Sequence, residues 1–98
     1  MSILNFDEII GFDWDSGNID KNFDKHGVSS VEIEEVFFDQ DILLYFNDKH
    51  SIIEIRYYAL GQTFNDRLLY ISFTLRSNKI RPISARDMNK NERKVYGK

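Results

Sequence analysis

Two runs in the second half of the chain carry residue types suited to phosphoryl transfer: His50, Glu54 and Arg56 in one, and Arg81, Ser84 and Arg86 in the other. Arginine suits phosphate because its planar fork pairs two oxygens and stays charged. Attack of a hydroxyl on a phosphodiester needs such charge stabilisation, together with a proton acceptor and a proton donor. Arg56 and Arg86 fit the first role, Arg76 and Arg81 could hold flanking phosphates, and Glu54 or His50 could move the protons. Ser84 adds a hydroxyl beside Arg86, and Tyr96 a phenol able to complete a hydrogen bond or stack a base. Plainer uses stay open for each. Glu54 and Arg56 could be a surface ion pair, Tyr96 could close the core as a terminal aromatic, and His26 lies on an apolar stripe where packing is the ordinary role.

These residues must be positioned by strands. After Asp41 the hydrophobic period changes to two, giving a short strand over 42–46, a turn at 47–50, longer strands over 52–60 and 67–76, a turn at 77–79 and a last strand through Arg86. Alternation assigns Ile53, Ile55, Tyr57, Ala59, Leu69, Ile71, Phe73, Leu75, Ile83 and Ala85 to the core face. The opposite face then collects Glu54, Arg56, Tyr58, Tyr70, Ser72, Thr74, Ser84 and Arg86, with Leu60, Leu68, Ile80 and Pro82 toward its edges. Polar outer faces are common in antiparallel sheets, so this grouping alone does not make a site.

Upstream, Ile19, Phe23 and His26 form one stripe of a helix over 16–26, which Gly27 ends by taking the left-handed conformation. Ser29 and Glu32 form a capping box for a second helix, with Val28 and Ile33 as its staple. A small strand is also expected near Gly11 to Trp14. Asn89, with Glu92 three residues on, starts a closing helix. The predicted architecture is α+β: two N-terminal helices on an antiparallel sheet of about four strands, then a short C-terminal helix, all in one domain spanning 1–98.

The net charge of −3 is unevenly spread: residues 1–41 carry 11 acids against 2 lysines, a local charge of −9, while residues 76–98 carry 8 bases against 2 acids, a local charge of +6. A basic face on an acidic domain fits phosphate binding, with Arg76, Arg81, Lys90, Arg93 and Lys94 as RNA-steering residues, although a charge run is also an ordinary solvated surface. Cysteine is absent, which excludes disulfides and thiolate metal sites. No apolar run approaches the roughly 20 residues of a membrane span, and the start of the chain lacks a signal pattern. The expectation is a soluble, cytoplasmic protein that uses no metal or other cofactor.

Lys25-His26-Gly27-Val28, the run from Ile80 to Arg86, and Asn89 through Tyr96 together resemble the BrnT-type toxins of type II toxin–antitoxin systems. Phe12, Trp14-Asp15, Asn22, Val36-Phe37, Asp39, Asp48, His50-Ser51, Arg56, Gly61 and Glu92-Arg93 extend the resemblance over nearly the whole chain. It implies a RelE-like fold, metal-independent endoribonuclease activity that inhibits translation, and a ribbon-helix-helix antitoxin partner of the BrnA type, with a homodimer inside the complex left open. The alternative is a catalytically inactive relative that docks an antitoxin or nucleic acid.

Overall fold

Hydrophobic period switches from helical to alternating at Asp41, and the backbone follows it. The computed structural model describes residues 9–14, 25–46 and 55–98. In order, these form β1 (Gly11–Phe12), α1 (Ser30–Val36), β2 (Leu43–Phe46), β3 (Tyr57–Gln62), β4 (Leu68–Arg76), β5 (Lys79–Asp87) and α2 (Lys90–Tyr96). The helix expected over 16–26 lies outside the described residues except for Lys25 and His26, which are helical; the turn at 47–50 and the expected strand start at 52–54 lie outside them too.

Sheet order is β1-β5-β4-β3-β2. Strands β2 to β5 make the predicted antiparallel meander, but β1 joins β5 in parallel, so the sheet is mixed and five-stranded among the described residues rather than a purely antiparallel sheet of four. The β4–β5 turn is tight because Ser77 and Asn78 both take positive φ, 51° and 64°, matching the twist of a two-residue hairpin.

One face packs against α1. Val28, Ile33, Val36, Tyr57, Ala59, Leu69, Ile71, Phe73, Ile80 and Ala85 form the buried cluster. Its aromatic spine runs from Phe12 to Phe37 and Phe73, with edge contacts at 5.7 and 5.1 Å, and on to Tyr57, stacked at 5.4 Å. α1 approaches β3 so closely at Gly61 that a Cβ there would lie 2.6 Å from Val36 Cγ1 and 3.4 Å from the Val36 carbonyl oxygen.

Two assignments to the core face are corrected. Pairing between β4 and β5 shifts between Ser72 and Phe73: Ser72 faces Ser84, yet Phe73 faces Pro82. Ile83 is the extra residue of a bulge, which reverses the alternation of everything before it on β5. Ile80 and Pro82 are therefore the buried residues, not Ile83, which is half-buried. Ile55 also fails as a core residue, at 52% exposure, because it precedes β3 rather than lying within it.

The junction before α1 forms as its residues dictate. Gly27 has φ +64°, and Ser29 Oγ accepts from the Glu32 amide at 3.2 Å while Glu32 accepts from the Ser29 amide at 2.9 Å. A Cβ on Gly27 would meet nothing within 4 Å, so the cost of Gly27→Ala is purely conformational, about 1 kcal/mol. Ser29→Ala should cost a similar amount, about 1 kcal/mol, by orphaning a helix amide. Gly61→Ala should cost about 1–3 kcal/mol by forcing α1 off the sheet. Urea denaturation of the three variants measures these differences, and unchanged midpoints would contradict the packing described.

Candidate functional site

The sheet face away from the core cluster carries a row of side chains that crosses four strands. Tyr45 on β2 and Tyr58 on β3 are register partners, stacked at 4.8 Å and 18°. Tyr58 stacks in turn on Tyr70 of β4 at 5.3 Å and 28°. Tyr70 faces Arg86 of β5, whose guanidinium carbon sits 4.1 Å from the centre of the Tyr70 ring. Such a placement attracts the cation to the ring's negative face and fixes its plane. Ser72 and Ser84 form the next cross-strand pair on the same face.

Arg86 is also forked onto a carboxylate: its two terminal nitrogens donate to Glu92 at 2.7 and 2.9 Å. One of them also donates to the Asp87 carbonyl oxygen at 3.1 Å. Glu92 is held from the other side by its own helix, since it accepts from the Asn89 amide at 2.9 Å while Asn89 Oδ1 accepts from the Glu92 amide at 2.8 Å. The motif Asn89-x-x-Glu92 thus both starts α2 and delivers a carboxylate to Arg86.

The electrostatics follow from these contacts. The Arg86 hydrogen bonds hold Glu92 below the ordinary carboxylate range, outweighing burial, which acts the other way. Arg86 is raised by the same hydrogen bonds. Burial pushes the Tyr70 phenol up, with nearby Arg86 opposing, and burial with the neighbouring Tyr45, Tyr70 and Glu92 pushes Tyr58 up. Chemically, the face offers a planar cation, neutral phenol O–H donors and two hydroxyls. Paired in this way, Glu92 is a weaker base than a free glutamate.

Of the residues singled out in the sequence, Ser84 and Arg86 share this face, and the bulge adds Arg81, which pairs with Thr74 and reaches Asp13 at 3.4 Å. Arg56 is half-buried just before β3, where the neighbouring Ile55 carbonyl accepts from Thr74 Oγ1 at 2.6 Å. Arg76 ends β4 and is exposed, as are Lys90 and Lys94 on α2. Arg93 turns back to donate to the Met88 carbonyl at 3.0 Å. The Tyr96 hydroxyl donates to Asp39 Oδ2 at 2.5 Å, an oxygen that also accepts from the Gln62 amide, so it ties α2 to the end of α1 instead of joining Arg86. Its phenol is pushed up by burial and by that carboxylate. His50 and Glu54 lie outside the described residues. Among the described residues no three His, Asp or Glu side chains gather as a metal site, and no helix is long and apolar enough to cross a membrane.

Sequence reasoning missed Arg67. Its Nε donates to Asp87 at 2.8 Å, and its terminal nitrogens reach Glu32 at 3.1 Å, the Gly27 carbonyl at 2.9 Å and the His26 carbonyl at 3.3 Å. One guanidinium thus joins the helix junction, the α1 cap and the residue after Arg86. The only hint in the sequence was an arginine at the start of a strand, which carries no such meaning by itself. Glu92 was legible only as a cap.

A model of the family described as "Ribonuclease toxin, BrnT, of type II toxin-antitoxin system" matches residues 14–92. Among solved structures, the 1.1 Å crystal structure of the Brucella abortus ribonuclease toxin BrnT is similar in fold, with a TM-score of 0.63, 18% identity, and coverage of 83% of this chain and 99% of that one. No curated protein matches the chain in sequence.

Glu92 and the Arg67 partners Glu32 and Asp87 are all held below their ordinary values. A carboxylate lowered on folding stabilises above its unfolded value and loses that contribution as pH falls through the folded value. Stability should therefore be level above about pH 5 and decline below the ordinary glutamate value of 4.5. Glu92→Gln should make the decline shallower in urea titrations between pH 5 and 3. An acid slope as steep as that of the parent would remove the Arg86–Glu92 pair from the account.

Proposed function

Given that this chain belongs to the BrnT family, the ribonuclease toxins of type II toxin–antitoxin systems, we propose that its RNA is bound and cleaved on the sheet face built from Arg86, Tyr70, Ser72 and Ser84. Membership makes the chain a toxin endoribonuclease with RNA as substrate and an antitoxin as partner. The observation that carries the site reading is the posture of Arg86: over the Tyr70 ring and forked onto Glu92. A carboxylate paired in this way marks where a phosphate's two oxygens would sit, because the guanidinium fork matches both anions.

In this reading an RNA phosphate exchanges with Glu92 for the Arg86 fork. Tyr70 keeps the guanidinium plane fixed during the exchange. Charge developing on the phosphoryl oxygens is met by a donor already in place, the arrangement that lowers a transition state most. Ser84, Ser72 and the neutral phenols of Tyr58 and Tyr70 supply further O–H donors. Arg56 joins Arg86 in meeting phosphoryl charge, Arg81 holds a flanking phosphate, Arg76, Lys90, Arg93 and Lys94 steer the strand, and His50 and Glu54 carry the proton transfers. We assign Tyr96 to anchoring α2 in place of catalysis.

At the finer level, we propose that residues 1–98 act as one cytoplasmic RelE-like toxin domain neutralised by a ribbon-helix-helix antitoxin of the BrnA type, with a toxin homodimer inside the complex. The closeness of the Arg86–Glu92 pair favours a second reading, in which the face is a closed docking surface without activity. Activity measurements separate the two.

Arg86→Ala should lower RNA cleavage by roughly 10²-fold while leaving circular dichroism unchanged, and Arg86→Lys should rescue poorly. Arg56→Ala should behave like Arg86→Ala. Alanine at Lys90 and Lys94 should weaken binding evenly across sequences and flatten its salt dependence. Growth arrest by the parent should vanish on co-expression of the adjacent reading frame. A folded Arg86→Ala protein that cleaves RNA like the parent would overturn the site, and a parent that never cleaves would favour the docking surface.

A further inference from the structure

We propose that the Tyr45–Tyr58–Tyr70 stack ends in a platform, the outer face of Tyr45, on which an unpaired base of single-stranded RNA stacks, across the sheet from the Arg86 phosphate site. The proposal deepens the reading of this face as the RNA site and rests on it.

Three rings on three adjacent strands, with a cation on the fourth, make one continuous stack: 4.8 Å from Tyr45 to Tyr58, 5.3 Å to Tyr70 and 4.1 Å to the Arg86 guanidinium. The faces of Tyr58 and Tyr70 are taken up by their neighbours in this stack, which leaves the outer face of Tyr45, about 14 Å from Arg86 at a strand spacing of about 4.8 Å, as the one on which a base can lie. None of these tyrosines belongs to the core cluster, and each is half-buried. The aromatic spine of the core has one tyrosine, Tyr57, and three phenylalanines, Phe12, Phe37 and Phe73. A phenol differs from such a ring only by a hydroxyl able to bond a polar neighbour, so three of them side by side suit a surface that meets a polar, planar ligand.

The occupant follows from charge and shape. Nucleic acid strands alternate flat bases with anionic phosphates, and this row alternates nothing: it puts its π-surfaces in line and its cation at one end, with Arg81 on the same face beyond. Glu92, the acid beside the row, is already paired with Arg86. Burial keeps the Tyr58 and Tyr70 phenols protonated, so neither repels a phosphate. Among the described residues β2 is the last strand on that side, and the stack ends at Tyr45. Base stacking on aromatic side chains tolerates any sequence, because every base has a π-face.

The test measures binding of the full-length chain to non-cleavable 2′-O-methyl oligoribonucleotides by fluorescence anisotropy, comparing a base-bearing strand with an abasic strand of equal phosphate count. The parent should bind the base-bearing strand about tenfold or more tightly. Tyr45→Leu should erase that preference while Tyr45→Phe keeps it, with circular dichroism melting as the folding control. Arg86→Ala should weaken both strands together. Equal binding of the two strands by the parent, still dependent on Arg86, would overturn the platform and leave the phosphate site standing. Binding of neither strand would overturn both. Tyr45→Leu that weakens the antitoxin and leaves RNA binding unchanged would overturn the platform in favour of protein docking.

Discussion

Ile83 is one residue too many for its strand, and the placement of the cations on the polar face depends on it. Arg81 and Arg86 are five positions apart on β5, and an unbroken strand would send them to opposite faces. The bulge lets Arg81 pair with Thr74 and Arg86 with Tyr70 on one face while Pro82 and Ala85 pair with Phe73 and Ile71 on the other. What stabilises the irregularity is the core: Ile80, Pro82 and Ala85 are all buried, and no regular alternation could bury all three. Proline is tolerable there because a bulge does not require its missing donor. Packing on one face thus fixes the cations of the other.

Arg67 supplies the second constraint. By bonding the His26 and Gly27 carbonyls, the Glu32 carboxylate and Asp87, it ties the helix junction to the end of the strand that presents Arg86. Across the sheet the Tyr96–Asp39 bond does the same for α2, a helix with no buried residue of its own, alongside the Arg86–Glu92 pair and the Arg93–Met88 bond. The site is therefore built where several weakly anchored pieces meet, each held by a polar link.

Local chemistry was legible in the sequence wherever it was written in adjacent residues. Both capping boxes, the left-handed Gly27, the Ser77-Asn78 turn and the β2–β5 meander were read from spacing alone and stand as expected. Tyr58, Tyr70, Ser72, Ser84 and Arg86 were also assigned to one face correctly, because β4 is regular and β5 is regular after its bulge. The bulge itself was hidden, since alternation assumes one residue per position; it put Pro82 toward the edge of the outer face, whereas that residue is buried opposite Phe73. The parallel β1–β5 pairing and the reach of Arg67 were invisible because they join residues far apart in the chain, where no local rule applies. Glu92 was half-legible: its capping role is a matter of spacing, but its second bond depends on where β5 ends.

The central claim is that RNA meets this face at Arg86 by exchanging with Glu92. Nuclear magnetic resonance titration of the labelled chain with a non-cleavable single-stranded RNA tests it most directly, because side-chain guanidinium, carboxylate and ring signals report each partner separately. The account predicts that Arg86, Glu92, Tyr70 and Ser84 shift together, and that Glu92 moves toward the titration of an unpaired carboxylate as RNA saturates. Shifts confined to α1 and the core side of the sheet, with the Arg86–Glu92 signals unmoved, would contradict it.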